Sequence, residues 1–236
     1  MRLDVIMPVF NETGTLREIA ARVLAQSQVA RLIAVDDGSA DSTAAVLDEL
    51  ARADGRVLVL SHPVNRGKGA AIRTGLAHVE ADAVVIQDAD LEYDPDQYGA
   101  LLAPLEAGEA DVVFGSRYVG GAMPDGQAMT AYLANRLLTF VSNRLTGLRL
   151  TDMETCYKCF SREVARGLEL TEDRFGIEPE IAALIAQVGF RVREVPIRYR
   201  GRNRSSGKKI GPRDGVDALK VMIRCWWRCR RGCKPG

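Results

Sequence analysis

With 236 residues, 47% hydrophobic and 27% charged, the chain has material for one large soluble core and is no disordered or low-complexity tract. No run of about 18–20 continuous apolar residues occurs, so no membrane-spanning helix is expected. The net charge of +1 conceals an asymmetry: from Arg198 onward 13 Lys/Arg face 2 Asp/Glu, while residues 1–197 carry 19 basic and 29 acidic side chains, a net of −10.

In chain order, MRLDVIMPVF lacks the charged-then-apolar architecture of a signal peptide. The five cysteines are an odd number, which points to reduced thiols in a cytoplasmic setting. LDVIMPVF reads as a buried strand, NETG as a loop and 15–25 as a helix. RLIAVDD is a second strand, GSADSTAAVLDELARAD a turn then a helix, and RVLVLSH a third strand. GKGAAIRTGLAHVEA follows as a helix and DAVVIQDAD as a fourth strand; then come a strand in ADVVFGSRY, a helix over 128–145 and a strand in FRVREVPIRYR. This alternation predicts βαβ crossovers and an α/β, Rossmann-like fold, a mainly parallel central sheet flanked by helices.

In open parallel sheets, ligands bind beyond the carboxyl ends of the strands. PVFNE, DDGS, DAD and GSRY each fall at such an end. No G-x-G-x-x-G follows the first strand and no Walker A sequence occurs, which argues against nicotinamide and P-loop folds.

The acids of AVVIQDADLEYDP carry the sharpest chemistry. In an extended segment Asp88 and Asp90 point the same way, two residues apart. Carboxylates this close are costly unless one is protonated or a cation sits between them. Oxygen donors without nearby His or Cys favour Mg²⁺ or Mn²⁺ over zinc, and magnesium fills its remaining positions with water and substrate phosphates. The pair therefore reads as an anchor for a metal and a diphosphate, whereas Asp94 and Asp96 read as a solvated turn.

VIMPVFNE, AVDDGSADST, NRGKGAAIRTG, QDADLEYDP and FGSRYVGG, in this order and spacing, resemble the family 2 glycosyltransferases of the GT-A fold. Within that family they look most like the dolichol-phosphate mannose synthase branch, which moves a sugar from a nucleotide to a polyprenyl phosphate. The resemblance is strong over 3–121 and weaker over 128–215. It implies a GT-A domain over 1–215, followed by a basic amphipathic tail over 216–236. It also implies that Pro8, Val9 and Glu12 cradle the nucleoside and that Asp36 and Asp37 hydrogen-bond base and ribose. An Asx-turn or a helix cap with Ser39 is the alternative for those two acids. Lys68 and Arg202 would contact the nucleotide sugar. Asp88, Asp90 and Glu92 would bind Mg²⁺ or Mn²⁺, with Glu92 standing where the branch commonly has Gln. Arg117 would approach a phosphate, which a bidentate guanidinium suits, or else form a surface salt bridge. Asn135 and Arg136, with Lys208 and Lys209, fall on the acceptor side.

The reaction class follows from the acceptor. A metal would spread the charge developing on the nucleoside diphosphate as the anomeric carbon is attacked. A phosphate monoester, with a second pKa of about 6, is already mostly a dianion at neutral pH and needs no general base. A hydroxyl needs one within hydrogen-bond reach, for which Asp152, Glu154, Glu178 and Glu180 are the candidates.

The tail completes the expectation. YRGRNRSSGKKIGPRDG is similar to the branch's R-x-x-G-x-S-K loop, and Gly201 and Gly207 suit a loop that closes over the sugar nucleotide. Val216, Leu219, Val221, Met222, Ile223, Trp226 and Trp227, interleaved with Lys/Arg, suit an interfacial amphipathic helix. The expected partners are a nucleotide sugar, a polyprenyl phosphate and the cytoplasmic face of a membrane; no nucleic-acid motif is present. Cys156 and Cys159 form a C-x-x-C, but with no partner pair and no thioredoxin context it does not read as a zinc or redox site, and Cys225, Cys229 and Cys233, spaced every four residues, lack the C-x-x-C pairs of zinc sites. Two other readings stay open: a family 2 transferase acting on a soluble hydroxyl, and a nucleotide-sugar-binding protein without transfer.

Overall fold

Seven short segments, most of them buried on both faces, pair into one sheet in this computed structural model, which describes residues 1–119, 126–201 and 212–230. The strands are β1 (Leu3–Val9), β2 (Val29–Asp36), β3 (Val57–Ser61), β4 (Ala83–Ile86), β5 (Val112–Ser116), β6 (Lys158–Ser161) and β7 (Val192–Pro196). Their order is β3-β2-β1-β4-β6-β5-β7. All neighbours pair in parallel except β6, which lies antiparallel between β4 and β5. The helices are α1 (Leu16–Leu24), α2 (Thr43–Ala53), α3 (Lys68–Leu76), α4 (Tyr98–Glu106), α5 (Met129–Thr146), α6 (Arg162–Gly167), α7 (Ile177–Val188) and α8 (Pro212–Arg230).

β1 sits where the winding reverses, with β2 and β3 on one side and β4 on the other. Ile6 pairs with Ile86 and Val9 with Asp36. That register brings the ends of β1, β2 and β4 together at one sheet edge, the switch point where α/β folds bind ligands. Asp4 is fully buried inside β1, and such a charge needs partners. It accepts from Arg31 and from the amides of Glu80 and Ala81. Burial pushes its pKa up, but the Arg31 guanidinium and these amides outweigh it and hold the carboxyl below the usual range.

Three features differ from the sequence expectation. The fourth strand ends at Ile86, not at residue 90, so the acids lie in a bend beyond it. Asp90 turns the chain there by accepting the Glu92 amide at 2.9 Å, a local alternative to extended backbone. β6 was not anticipated; it fills the gap between β4 and β5 and carries a lysine into the core. Finally, α8 does not present its whole apolar face outward. Ala218, Val221, Met222 and Cys225 are buried, in contact with α7 and α5. Among the described residues no helix is long and apolar enough to cross a membrane, and Cys156, Cys159 and Cys225 are buried free thiols.

Candidate active site

Two loops at the sheet edge are shaped by glycines that no other residue would replace cheaply. Gly38 has φ +71°, and a Cβ there would lie 2.6 Å from the Val64 carbonyl carbon. Gly67 has φ +107°, and its Cβ would meet the Asp173 carbonyl oxygen at 2.4 Å. Both close approaches are organised around Asp37. Its Oδ1 takes the Arg66 amide at 2.9 Å and lies 2.6 Å from His62 Nδ1; its Oδ2 takes the Asn65 side chain and the Gly67 amide. Asp37 therefore builds the 62–67 turn from within and has no oxygen to spare for a base or ribose. The carboxylate of its neighbour Asp36 accepts the Ser39 amide at 3.1 Å, in an Asx-turn. Of the two acids, Asp36 has the less engaged carboxylate.

Pro8 and Val9 end β1 beside Val35 and Asp36. Glu12 receives the Thr15 hydroxyl at 3.1 Å, and the same hydroxyl lies 2.9 Å from the Ala89 carbonyl. The Glu12 loop and the Asp88–Asp90 bend are thus tied together through Thr15.

The bend itself rests on buried polar contacts. Gln87 is fully buried, with Oε1 accepting from both Tyr98 and Tyr157 at 2.7 Å and its amide nitrogen donating to the Asp88 carbonyl. Asp88 Oδ1 lies 2.8 Å from Lys68 Nζ, and the same ammonium is 3.2 Å from Glu178 Oε1. Glu178 Oε2 in turn pairs with Lys158, whose ammonium also donates to the Thr155 carbonyl. Burial pushes the Asp88 carboxyl up, but Lys68 outweighs it and holds the pKa below the usual range. Burial likewise opposes the Lys68 charge, and Asp88 more than compensates. Asp90 is nearly buried, and Glu92 accepts from the Tyr199 hydroxyl at 2.8 Å. Sequence reasoning missed Gln87, Lys158 and the Lys158–Glu178 pair. A polar residue inside each of the apolar runs VVIQ and CYKCF was the available signal.

Arg117 is not a surface salt bridge. Its guanidinium is buried and bidentate to Asp152 at 2.6 and 2.7 Å, between the rings of Tyr118 and Tyr199 at 5.2 and 5.1 Å. Burial disfavours its charge, and Asp152 overcomes that to raise the pKa well above the ordinary arginine value. The guanidinium thus packs against the Tyr199 ring as well as holding Asp152. Asn135 donates to the Tyr118 hydroxyl at 2.8 Å, so it holds that ring, while Arg136 is exposed. Arg202, Lys208 and Lys209 lie outside the described residues.

Among the four acids weighed as general bases, three are engaged. Asp152 holds Arg117, Glu178 holds two lysines, and Glu180 accepts the amides of Thr171 and Glu172. Glu154 differs: its Oε1 is buried without a hydrogen-bond partner among the described residues. Burial and the nearby Glu178 carboxylate push its pKa up to about 7.

Among the described residues no group of three or more His, Cys, Asp or Glu side chains is placed to hold a metal unaided. Asp88 and Asp90 offer hard oxygens at one bend, which suits a magnesium-like ion completed by phosphate oxygens and water. The donor set fits such a cation and does not fit zinc.

A family model described as Glycosyl transferase family 2 matches residues 4–168. Polyprenol monophosphomannose synthase of Mycolicibacterium smegmatis is 31% identical over 217 residues, covering 89% of this chain and 82% of its own. Dolichol-phosphate mannosyltransferase of Pyrococcus furiosus is 30% identical over 218 residues, covering 89% of this chain and 61% of its own. Glucosyl-3-phosphoglycerate synthase of Mycobacterium tuberculosis, solved with Mn²⁺, UDP-glucose and phosphoglyceric acid, has a TM-score of 0.72 at 24% identity, over 96% of this chain and 80% of that one. That likeness is one of fold, the GT-A arrangement expected from the motifs.

Proposed function

The chain belongs to glycosyl transferase family 2 and is a glycosyltransferase, and from that premise we propose that it transfers a sugar from a nucleotide sugar to a polyprenyl phosphate at a membrane surface. The observation that carries the reading is the likeness to polyprenol monophosphomannose synthase across 89% of this chain. The nucleoside lies along Pro8, Val9, Glu12 and Asp36, and the diphosphate reaches the Asp88–Asp90 bend. Asp88 and Asp90 would hold Mg²⁺ or Mn²⁺ there, and the ion would supply neutralisation of the charge on the departing nucleoside diphosphate. The phosphate acceptor arrives already ionised and attacks the anomeric carbon directly, with inversion. The basic segment from Arg198 onward favours an anionic acceptor near the bilayer.

Exposed apolar side chains support the membrane part of the reading. Met129, Leu133, Leu137 and Phe140 form one stripe along α5, and Val216, Ile223 and Trp227 stand exposed on α8. α5 contains no acidic residue, and Arg136 and Arg144 flank its stripe. Apolar side chains rimmed by arginines suit a headgroup boundary.

One observation favours a second reading. Glu154, with Oε1 buried and unpartnered among the described residues and its pKa pushed up to about 7 by burial and Glu178, suits a general base for a hydroxyl acceptor. A transfer screen separates the two: labelled GDP-mannose, UDP-glucose and UDP-N-acetylglucosamine, each with and without polyprenyl phosphate, followed by organic extraction. Label entering the organic phase only when the lipid phosphate is present supports the proposal. Label remaining in water-soluble products under every condition rejects it.

A further inference from the structure

Lys68 opens α3, and its side chain lies between two carboxylates with different claims on it. Asp88 Oδ1 is the nearer, at 2.8 Å; Glu178 Oε1 is at 3.2 Å. Glu178 Oε1 is also buried with no hydrogen bond among the described residues, although its sister oxygen is held by Lys158. A buried acceptor left short beside a lysine is an unfilled seat for that ammonium. Asp88 is about a quarter exposed, while Glu178 is 4% exposed and lies in the first turn of α7, where a carboxylate is favoured.

We propose that Lys68 is a built-in counter-cation for Asp88, which yields that carboxylate to the divalent metal and turns onto Glu178 Oε1, so that Lys68 and Glu178 together set how tightly the metal is held. This inference rests on the Asp88–Asp90 metal site proposed above. Without a second positive charge, Asp88 and Asp90 repel one another; the ammonium relieves that repulsion and so keeps the bend in shape before the metal arrives. An ammonium and a dication cannot share Asp88 Oδ1 without repelling each other. The lysine's flexible stem lets its ammonium move the short way to Glu178. Lys68 is then a positioning residue whose charge works against the metal and for the folded bend.

Mn²⁺ binding to the full chain without nucleotide, read from the electron paramagnetic resonance of the free ion, tests this. Lys68→Met keeps the methylene stem and leaves Glu178 paired with Lys158. It is expected to bind Mn²⁺ about tenfold tighter, the order expected for removing one competing, partly buried ion pair. Equal or weaker binding by a Lys68→Met protein with wild-type circular dichroism overturns the proposal. Crystals of the wild-type protein grown with MnCl₂ provide a readout that no variant's folding can spoil. Lys68 Nζ hydrogen-bonded to Glu178 Oε1 and withdrawn from Asp88 supports it; Nζ still on Asp88 beside bound Mn²⁺ refutes it. If neither wild type nor Lys68→Met binds Mn²⁺, the metal site and this inference fall together. Tighter Mn²⁺ binding by Lys68→Met, with no sugar transfer to lipid by the wild-type protein, would reject the proposed function alone.

Discussion

Glu154→Gln should stabilise the protein at neutral pH and leave it nearly unchanged once the pH falls below the ordinary glutamate range. The carboxyl is held at a pKa of about 7 by burial and then by Glu178, against an ordinary 4.5. Below about pH 4.5 the group is protonated in both native and unfolded chains and has no effect on the balance. Between pH 4.5 and 7 the unfolded chain releases the proton while the native state keeps it, so stability falls as pH rises; above pH 7 the penalty is complete. A shift of about 2.5 units corresponds to about 3 kcal/mol. Glutamine keeps the side-chain shape and never ionises. With an unfolding entropy of about 2.1 cal/mol/K per residue, 3 kcal/mol is about 6 °C for a chain of this length. Calorimetry at pH 5 and pH 8 measures it. The variant's advantage should grow from about 1 kcal/mol at pH 5 to about 3 kcal/mol at pH 8. An advantage that stays flat or shrinks over that interval means Glu154 is not a neutralised buried acid. The same variant should keep its transfer to a phosphate acceptor, whereas a hydroxyl acceptor relying on Glu154 would lose about 100-fold or more.

Asp90→Asn, or EDTA with the wild-type enzyme, should reduce transfer at least about 100-fold; full turnover in EDTA would remove the metal from the account. An α-linked sugar nucleotide should give a β-linked lipid product, read by the proton NMR coupling at the anomeric carbon, and an α-linked product would rule out direct attack. Serine at Leu137, Phe140, Ile223 and Trp227 together should weaken sedimentation with anionic vesicles about tenfold or more while nucleotide binding is unchanged. Undiminished sedimentation would show that this face does not meet the bilayer. Substitution is preferable to cutting the chain after Asp214, because that cut also removes Ala218, Val221, Met222 and Cys225 from their packing against α5 and α7. Each such loss costs about 1 kcal/mol or more.

The parallel half of the sheet was legible because β1, β2 and β4 are almost continuous apolar runs ending in acids or turns, a pattern few other structures produce. The placement of PVFNE, DDGS and DAD at one edge followed from that alone. β6 was not legible: it is four residues long, starts with a lysine, and that lysine is satisfied by the Thr155 carbonyl and by Glu178, twenty positions away in sequence and folded against it. Asp36 and Asp37 look equivalent in the sequence. Their division of labour comes from the 62–67 turn, which folds back to give Asp37 its four contacts. Arg117 was expected at a phosphate or in a surface salt bridge; it is instead buried against Asp152, which lies 35 residues on and which no local pattern announces. Local chemistry is written in the chain, whereas the pairing of buried charges is decided by tertiary contact.

The central claim is that a nucleotide sugar is passed to a lipid-borne phosphate. A single reaction containing labelled nucleotide sugar, Mg²⁺, undecaprenyl phosphate in detergent and an equal concentration of 3-phosphoglycerate sets the two acceptor classes against each other. Partition between butanol and water then counts the products. The label is expected to move into butanol and to return to water on mild acid hydrolysis, as a sugar phosphate ester of a polyprenol does. Label passing instead into a water-soluble glycosyl phosphoglycerate, with none in butanol, would contradict it.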